Sequence, residues 1–233
     1  MRHRVLAVVR EREQEPVAPA PGAADRLRAP AQNEHGGLAA LAAHFELARR
    51  TGFGLVVATG FDLEPDRPDA PGRRYQVNRP LEGVPGRPAA QEVSTESARR
   101  VYEAYEQRVR AVAQGPLAFY VEIHGNNRRE AAQRIEIATV GADKNDALRL
   151  KTLLELIRDA HLRTRPGSQR LDVLVEPADP VMYTASSAKR VGILRLPAQA
   201  LHIELPKTAR VEGREVYTAF LADFLTQAAI LPR

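Results

Sequence analysis

The stretch Leu117 to Asn127, LAFYVEIHGNN, constrains the fold more than any other part of the chain. Leu117, Ala118, Phe119, Tyr120, Val121 and Ile123 form a short apolar run rich in aromatic and β-branched residues, which reads as a buried central strand rather than a helix. The His-Gly-Asn-Asn that follows is expected to end it. Ligands in open α/β sheets collect just outside the carboxyl ends of strands, so His124 is expected to point into a site.

The rest of the chain supplies partners for that strand. Val5 to Val9 reads as a first short strand, followed by the charged run Arg10 to Glu15 and a proline- and alanine-rich loop from Pro16 to Pro30. A helix is predicted from Leu38 to Arg50, with Leu38, Leu41, Ala42, Phe45 and Ala48 on its buried face, and a second strand from Leu55 to Ala58. Gly60 to Gln91 is dense in proline, glycine and charge, and reads as a long loop of the kind that is functional or disordered in compact domains. Ser94 is the expected N-cap of a helix to about Ala113. Further strands are predicted at Ile135 to Thr139, Leu171 to Val175 and Ala200 to Pro206, and further helices at Ala147 to Ala160 and Glu215 to Ala228. This alternation argues for a three-layer α/β/α fold around a mostly parallel, mixed sheet, the expected layout being phosphorylase/hydrolase-like. All 233 residues are assigned to a single domain with a long loop at about 60–92.

Composition narrows the chemistry. The chain has no cysteine, which excludes disulfides, a thiol nucleophile and thiolate-ligated zinc, so any metal must be held by His, Asp or Glu. With 34 Lys+Arg against 29 Asp+Glu the net charge is +5, and the basic residues are scattered rather than gathered in a stripe. No nucleic-acid partner is expected from that pattern, whereas an anionic small substrate fits it. No stretch approaches the ~20 apolar residues of a membrane span, and the start lacks the apolar core of a secretory signal; no membrane association and a cytoplasmic location are the expectation.

Four short pieces combine into one proposed site: Glu34-His35-Gly36-Gly37, Arg74 to Pro80, Val121 to Asn127 and Ile203 to Pro206. A catalytic zinc ion takes three His or carboxylate ligands and leaves one position open. His35 and His124, each followed by a glycine, are the expected imidazole ligands, and Glu34 is the nearest third ligand, with Glu11, Glu13 and Glu15 as competitors. Glu204 is the expected general base, taking a proton from the metal-activated water and returning it to the leaving amine. Arg79 is the expected anchor for an anionic substrate group or the developing oxyanion, because its planar fork matches a carboxylate. Asn78, Asn126 and Arg128 complete the expected substrate-binding set.

Arg74-Tyr75-Gln76-Val77-Asn78-Arg79-Pro80 resembles the Arg-Tyr-hydrophobic-Asp-hydrophobic-Asn-Arg-Pro block of the N-formylglutamate amidohydrolases, with the Asp replaced by Gln76 or lost; the family is grouped with the zinc carboxypeptidases and aspartoacylases. Val101 to Glu106 is similar to that family's Tyr-x-x-Tyr-His segment, with Glu106 in the histidine's place. Val121-Glu122-Ile123-His124 resembles the strand that presents a zinc histidine, and Ile203-Glu204-Leu205-Pro206 the late strand bearing the catalytic glutamate. The family's first zinc histidine follows the first strand directly, where this chain has Arg10-Glu11-Arg12-Glu13. The resemblance implies a zinc-dependent amidohydrolase that cleaves the amide of a small acidic N-acyl amino acid. His35-Gly36-Gly37 and Ile123-His124-Gly125-Asn126 are also similar to the zinc N-acetylmuramoyl-alanine amidases, which cut cell-wall peptide. A third expectation keeps the scaffold without catalysis, as a protein that binds an acidic metabolite through Arg79 over a degenerate metal site.

Overall fold

A computed structural model describes residues 4–9, 42–58, 74–84 and 91–231. Strand β1 (Arg4–Val9) is followed by helix α1 (residues 42–51) and β2 (Gly54–Ala58). Three very short strands, β3 (Tyr75–Gln76), β4 (Leu81–Gly83) and β5 (Glu92–Val93), precede helix α2 (Glu96–Ala113). Then come β6 (Phe119–Asn126), β7 (Arg134–Val140), α3 (Lys144–Arg163), β8 (Asp172–Val175), α4 (Ser186–Val191), β9 (Gln199–Pro206) and α5 (Arg214–Ala228). The main sheet runs β2-β1-β6-β9-β7-β8. Every neighbouring pair in it is parallel except β7 and β9, so the sheet is mixed but mostly parallel.

Helices cover both faces, which gives the three-layer α/β/α arrangement. On one face Leu6, Val121, Ile123, Ile135, Ile137, Leu201 and Ile203 meet α1, α3 and α5 through Leu47, Leu154, Phe220 and Phe224. On the other, Val5, Ala7, Tyr120 and Ala200 meet α2 and α4 through Tyr102, Tyr105, Val109 and Ala188. Strand side chains alternate between faces, so the even-numbered residues of β6 share the second face. That face is apolar at Tyr120 and Ala200 and becomes polar toward the carboxyl ends of β6 and β9. Among the described residues no helix is long and apolar enough to cross a membrane.

The structure corrects four local expectations. Strand β6 continues through His124 and Gly125 to Asn126, because β9 lies alongside as far as Pro206 and gives those backbone groups partners. In α1 the buried residues are Leu47 and Ala48, while Phe45 is 61% exposed: two helical positions from Leu47 rotate it by about 200° onto the opposite side. The segment read as one long loop holds β3 and β4, a small antiparallel pair whose strands are too short for a periodicity signal. Leu38 and Leu41 lie outside the described residues. Helix α2 is capped by Thr95, one residue past the expected Ser94, its side chain accepting from the Ala98 backbone N–H.

Candidate metal centre

Adjacent parallel strands place four titratable side chains in two rows. Glu122 is opposite His202, and His124 is opposite Glu204. A spacing of two along a strand puts both members on one face, so Glu122-x-His124 and His202-x-Glu204 converge on the α2 side of the sheet. All four are buried; Glu122 is fully inaccessible and the others are at most 9% exposed.

Glu122 is the hub. Its Oε2 lies 3.2 Å from His202 Nδ1 and accepts from Asn78 Nδ2 at 3.1 Å. His124 Nε2 stands 3.4 Å from the same oxygen but is too poorly aligned to form a hydrogen bond with it. The other carboxylate oxygen, Oε1, accepts from the Tyr120 hydroxyl at 2.9 Å, and that hydroxyl meets Tyr105 at 2.8 Å. His202 Nε2 faces Glu204 Oε1 at 3.2 Å, and the two imidazole rings of His124 and His202 lie 4.4 Å apart. Glu204 Oε2 is buried with no hydrogen-bond partner among the described residues.

These contacts decide the charges. Burial acts to raise the Glu122 carboxyl, but the His124 and His202 imidazoles outweigh it and hold the group well below its usual range. Burial acts to lower His202, yet its contacts with Glu122 and Glu204 raise it to about 9. Tyr105 and Tyr120 are pushed well above the ordinary phenol value by burial and then by the Glu122 charge, so both remain protonated.

Glu122, His124 and His202 each offer a ligand atom, and these atoms all lie within 4.8 Å of one another. Ligands of a tetrahedral ion bonded at roughly 2.0–2.1 Å stand about 3.3 Å apart. The separations of 3.2 and 3.4 Å from Glu122 Oε2 to the two imidazoles match that edge. Glu204 can fix the His202 tautomer by accepting from Nε2, which frees the Nδ1 lone pair, and a carboxylate behind a ligating imidazole is the usual support for such a site. The donor set therefore fits a divalent metal ion.

The expected site residues are distributed as follows. His124 lies in the cluster and Glu204 beside it. Asn78 bonds Glu122 directly. Arg79 donates through Nη1 to Asn78 Oδ1 at 2.7 Å and is bound by both oxygens of Glu92, with its Nε 2.9 Å from Oε2. The Asn78–Arg79 turn docks on the chain after α4, where Ile193 N–H donates to Asn78 O. A glycine is required at 192, since a Cβ there would stand 2.2 Å from Asn78 O. Asn126 is buried on the site face, and among the described residues neither side-chain amide atom is hydrogen bonded. Arg128 is exposed, 5.6 Å from the ring centre of Tyr183. Glu11, Glu13, Glu15, Glu34 and His35 lie outside the described residues. Glu122 and His202 were not singled out from the sequence, although Glu-x-His and His-x-Glu on two strands are the pattern that carries them.

Fold and centre together define a three-layer α/β chain with a buried carboxylate and two imidazoles able to hold a metal ion at the carboxyl ends of neighbouring strands. No protein-family model matches the chain, and no curated protein matches it in sequence. Among solved structures the chain is similar to gene product Atu2144 from Agrobacterium tumefaciens, at 16% identity and a TM-score of 0.45, over 97% of this chain and 88% of that one. It is also similar to the N-acetylmuramoyl-L-alanine amidase AmiC2 of Nostoc punctiforme, at 12% identity and a TM-score of 0.34, over 97% of this chain and 94% of that one.

Proposed function

We propose that the protein is a metal-dependent amidohydrolase acting on a small acidic N-acyl amino acid of the N-formylglutamate kind, with zinc held by Glu122, His124 and His202. The observation that carries this reading is the convergence of those three buried side chains, with the unpartnered oxygen of Glu204 beside them. Burying these ionisable groups together costs desolvation, so the cluster is poor support for stability and a candidate site for binding or chemistry. When bound, the ion would supply a Lewis acid at the sheet's carboxyl edge.

The chain's own groups do the rest. Glu204 Oε1 holds the His202 ring while Oε2, without a hydrogen-bond partner among the described residues, takes a proton from the attacking water and passes it to the leaving amine. Asn126 offers an unused amide on the same face to orient the substrate. Arg128, held on the Tyr183 ring just beyond β6, supplies positive charge for an acidic substrate group. The arginine of the sequence block, Arg79, is committed to Asn78 and Glu92 and acts behind the site.

Hydrolysis of N-formylglutamate by zinc-loaded protein, and of related N-acyl acidic amino acids, tests the reading. Turnover that disappears with chelation and in His124→Ala supports it. Tight binding of the acid by metal-replete protein without turnover would favour a binding protein instead.

A further inference from the structure

We propose that two hydrogen-bond relays, the buried Tyr105–Tyr120 pair from one side and the half-buried Glu92–Arg79–Asn78 chain from the other, position Glu122 as a metal ligand. This rests on the metal-centre reading above and assigns a role to residues outside the ligand set.

The direction of each relay follows from what its members can donate. Arginine has only donors, so the Asn78 atom facing Arg79 Nη1 at 2.7 Å must be the carbonyl oxygen. That fixes the amide so that Nδ2 faces Glu122 Oε2 at 3.1 Å. Arg79 is itself held by Glu92, a residue of β5, while Asn78 and Arg79 lie in the turn between β3 and β4. The short strands of the hairpin thus end in a fixed donor aimed at one carboxylate oxygen.

The other relay is equally directional. An ionised carboxylate only accepts, so Tyr120 donates to Glu122 Oε1 at 2.9 Å, and its oxygen is left to accept from Tyr105 at 2.8 Å. Tyr120 lies on β6 and Tyr105 on α2, so the relay ties the ligand strand to the helix that covers it. Both rings are buried, Tyr120 completely and Tyr105 to 6% exposure, and water does not compete for their hydroxyls. With Oε1 held by Tyr120 and Oε2 accepting from Asn78, Oε2 stands 3.2 Å from His202 Nδ1 and 3.4 Å from His124 Nε2, with one lone pair left for an ion between them.

Such outer partners orient a ligand and tune its affinity for the metal. Zinc affinity, by competition with a chromophoric chelator, and the visible spectrum of the cobalt-substituted protein are to be measured for wild type and for Tyr120→Phe, Tyr105→Phe, Asn78→Ala and Tyr102→Phe. Tyr102 sits on the same helix, 5% exposed, and among the described residues no hydrogen bond joins it to Glu122, His124 or His202, so its variant is the control for losing a buried hydroxyl from this helix. Tyr120→Phe and Asn78→Ala are expected to weaken zinc about 10- to 100-fold, with altered cobalt bands. Tyr105→Phe is expected to weaken it less, and Tyr102→Phe to stay within about twofold of wild type. Tyr120→Phe is isosteric and decides the matter if Asn78→Ala does not fold. Wild-type affinity and cobalt spectrum in Tyr120→Phe, or an equal loss in Tyr102→Phe, would overturn the relay while leaving the metal centre standing. A wild-type protein that takes up neither ion would overturn both.

Discussion

Glu122 and His202 are Cα partners across the parallel strands β6 and β9, with Oε2 of one 3.2 Å from Nδ1 of the other. In the metal-free protein this pair is a buried ion pair, the carboxylate depressed and the imidazole raised to about 9. Loading a metal onto His202 must therefore displace a proton.

Zinc affinity should accordingly rise with pH. Below about 9, where His202 is protonated in the metal-free protein, each pH unit is expected to change affinity about tenfold, one displaced proton being involved. Chelator-buffered titrations between pH 6 and 8 measure this slope. A flat profile would mean that His202 does not ligate.

The stability of the metal-free protein should have the opposite trend on the alkaline side. The His202 value in the folded protein lies above its unfolded one of 6.5, so its contribution is complete below that value and is lost as pH rises through about 9. Glu122 is depressed, so its contribution is present above its unfolded value and is lost only deep in the acid range. Melting temperatures from pH 5 to 10 should therefore fall on the alkaline limb in wild type. In a His202→Gln variant that limb should flatten.

Glu204→Gln should abolish turnover and leave zinc content nearly intact. The glutamine oxygen can still accept from His202 Nε2, but no group then remains at that position to take a proton. Zinc stoichiometry measured beside hydrolysis separates the roles; loss of metal in this variant would place Glu204 among the ligands.

Leu154→Ala should destabilise the fold by about 2–5 kcal/mol in urea unfolding, since the side chain is fully buried between α3 and the sheet. The centre lies on the opposite face, so zinc affinity of the folded variant should equal that of wild type.

Most of the architecture was legible in the sequence because long apolar or amphipathic segments carry it. The apolar run from Phe119 to Ile123 and the helical repeat around Tyr102, Tyr105 and Val109 announce a strand and the helix covering it. The centre was only half legible. His124 and Glu204 stand out beside Gly125 and Pro206, but Glu122 and His202 lie inside apolar strands, and their meeting depends on β9 inserting between β6 and β7 in one register. Pairing register is a tertiary property that no local window contains. Arg79 was legible as part of a turn, but its engagement by Glu92, thirteen residues away, was not, because that contact depends on how the short strands pair.

Glu122, His124 and His202 are proposed to share one ion. Anomalous diffraction at the zinc edge from crystals soaked in zinc tests it directly. A peak within ~2.0–2.2 Å of Glu122 Oε2 and of one nitrogen from each of His124 and His202 is the predicted result. Zinc bound elsewhere with this cluster empty would contradict it.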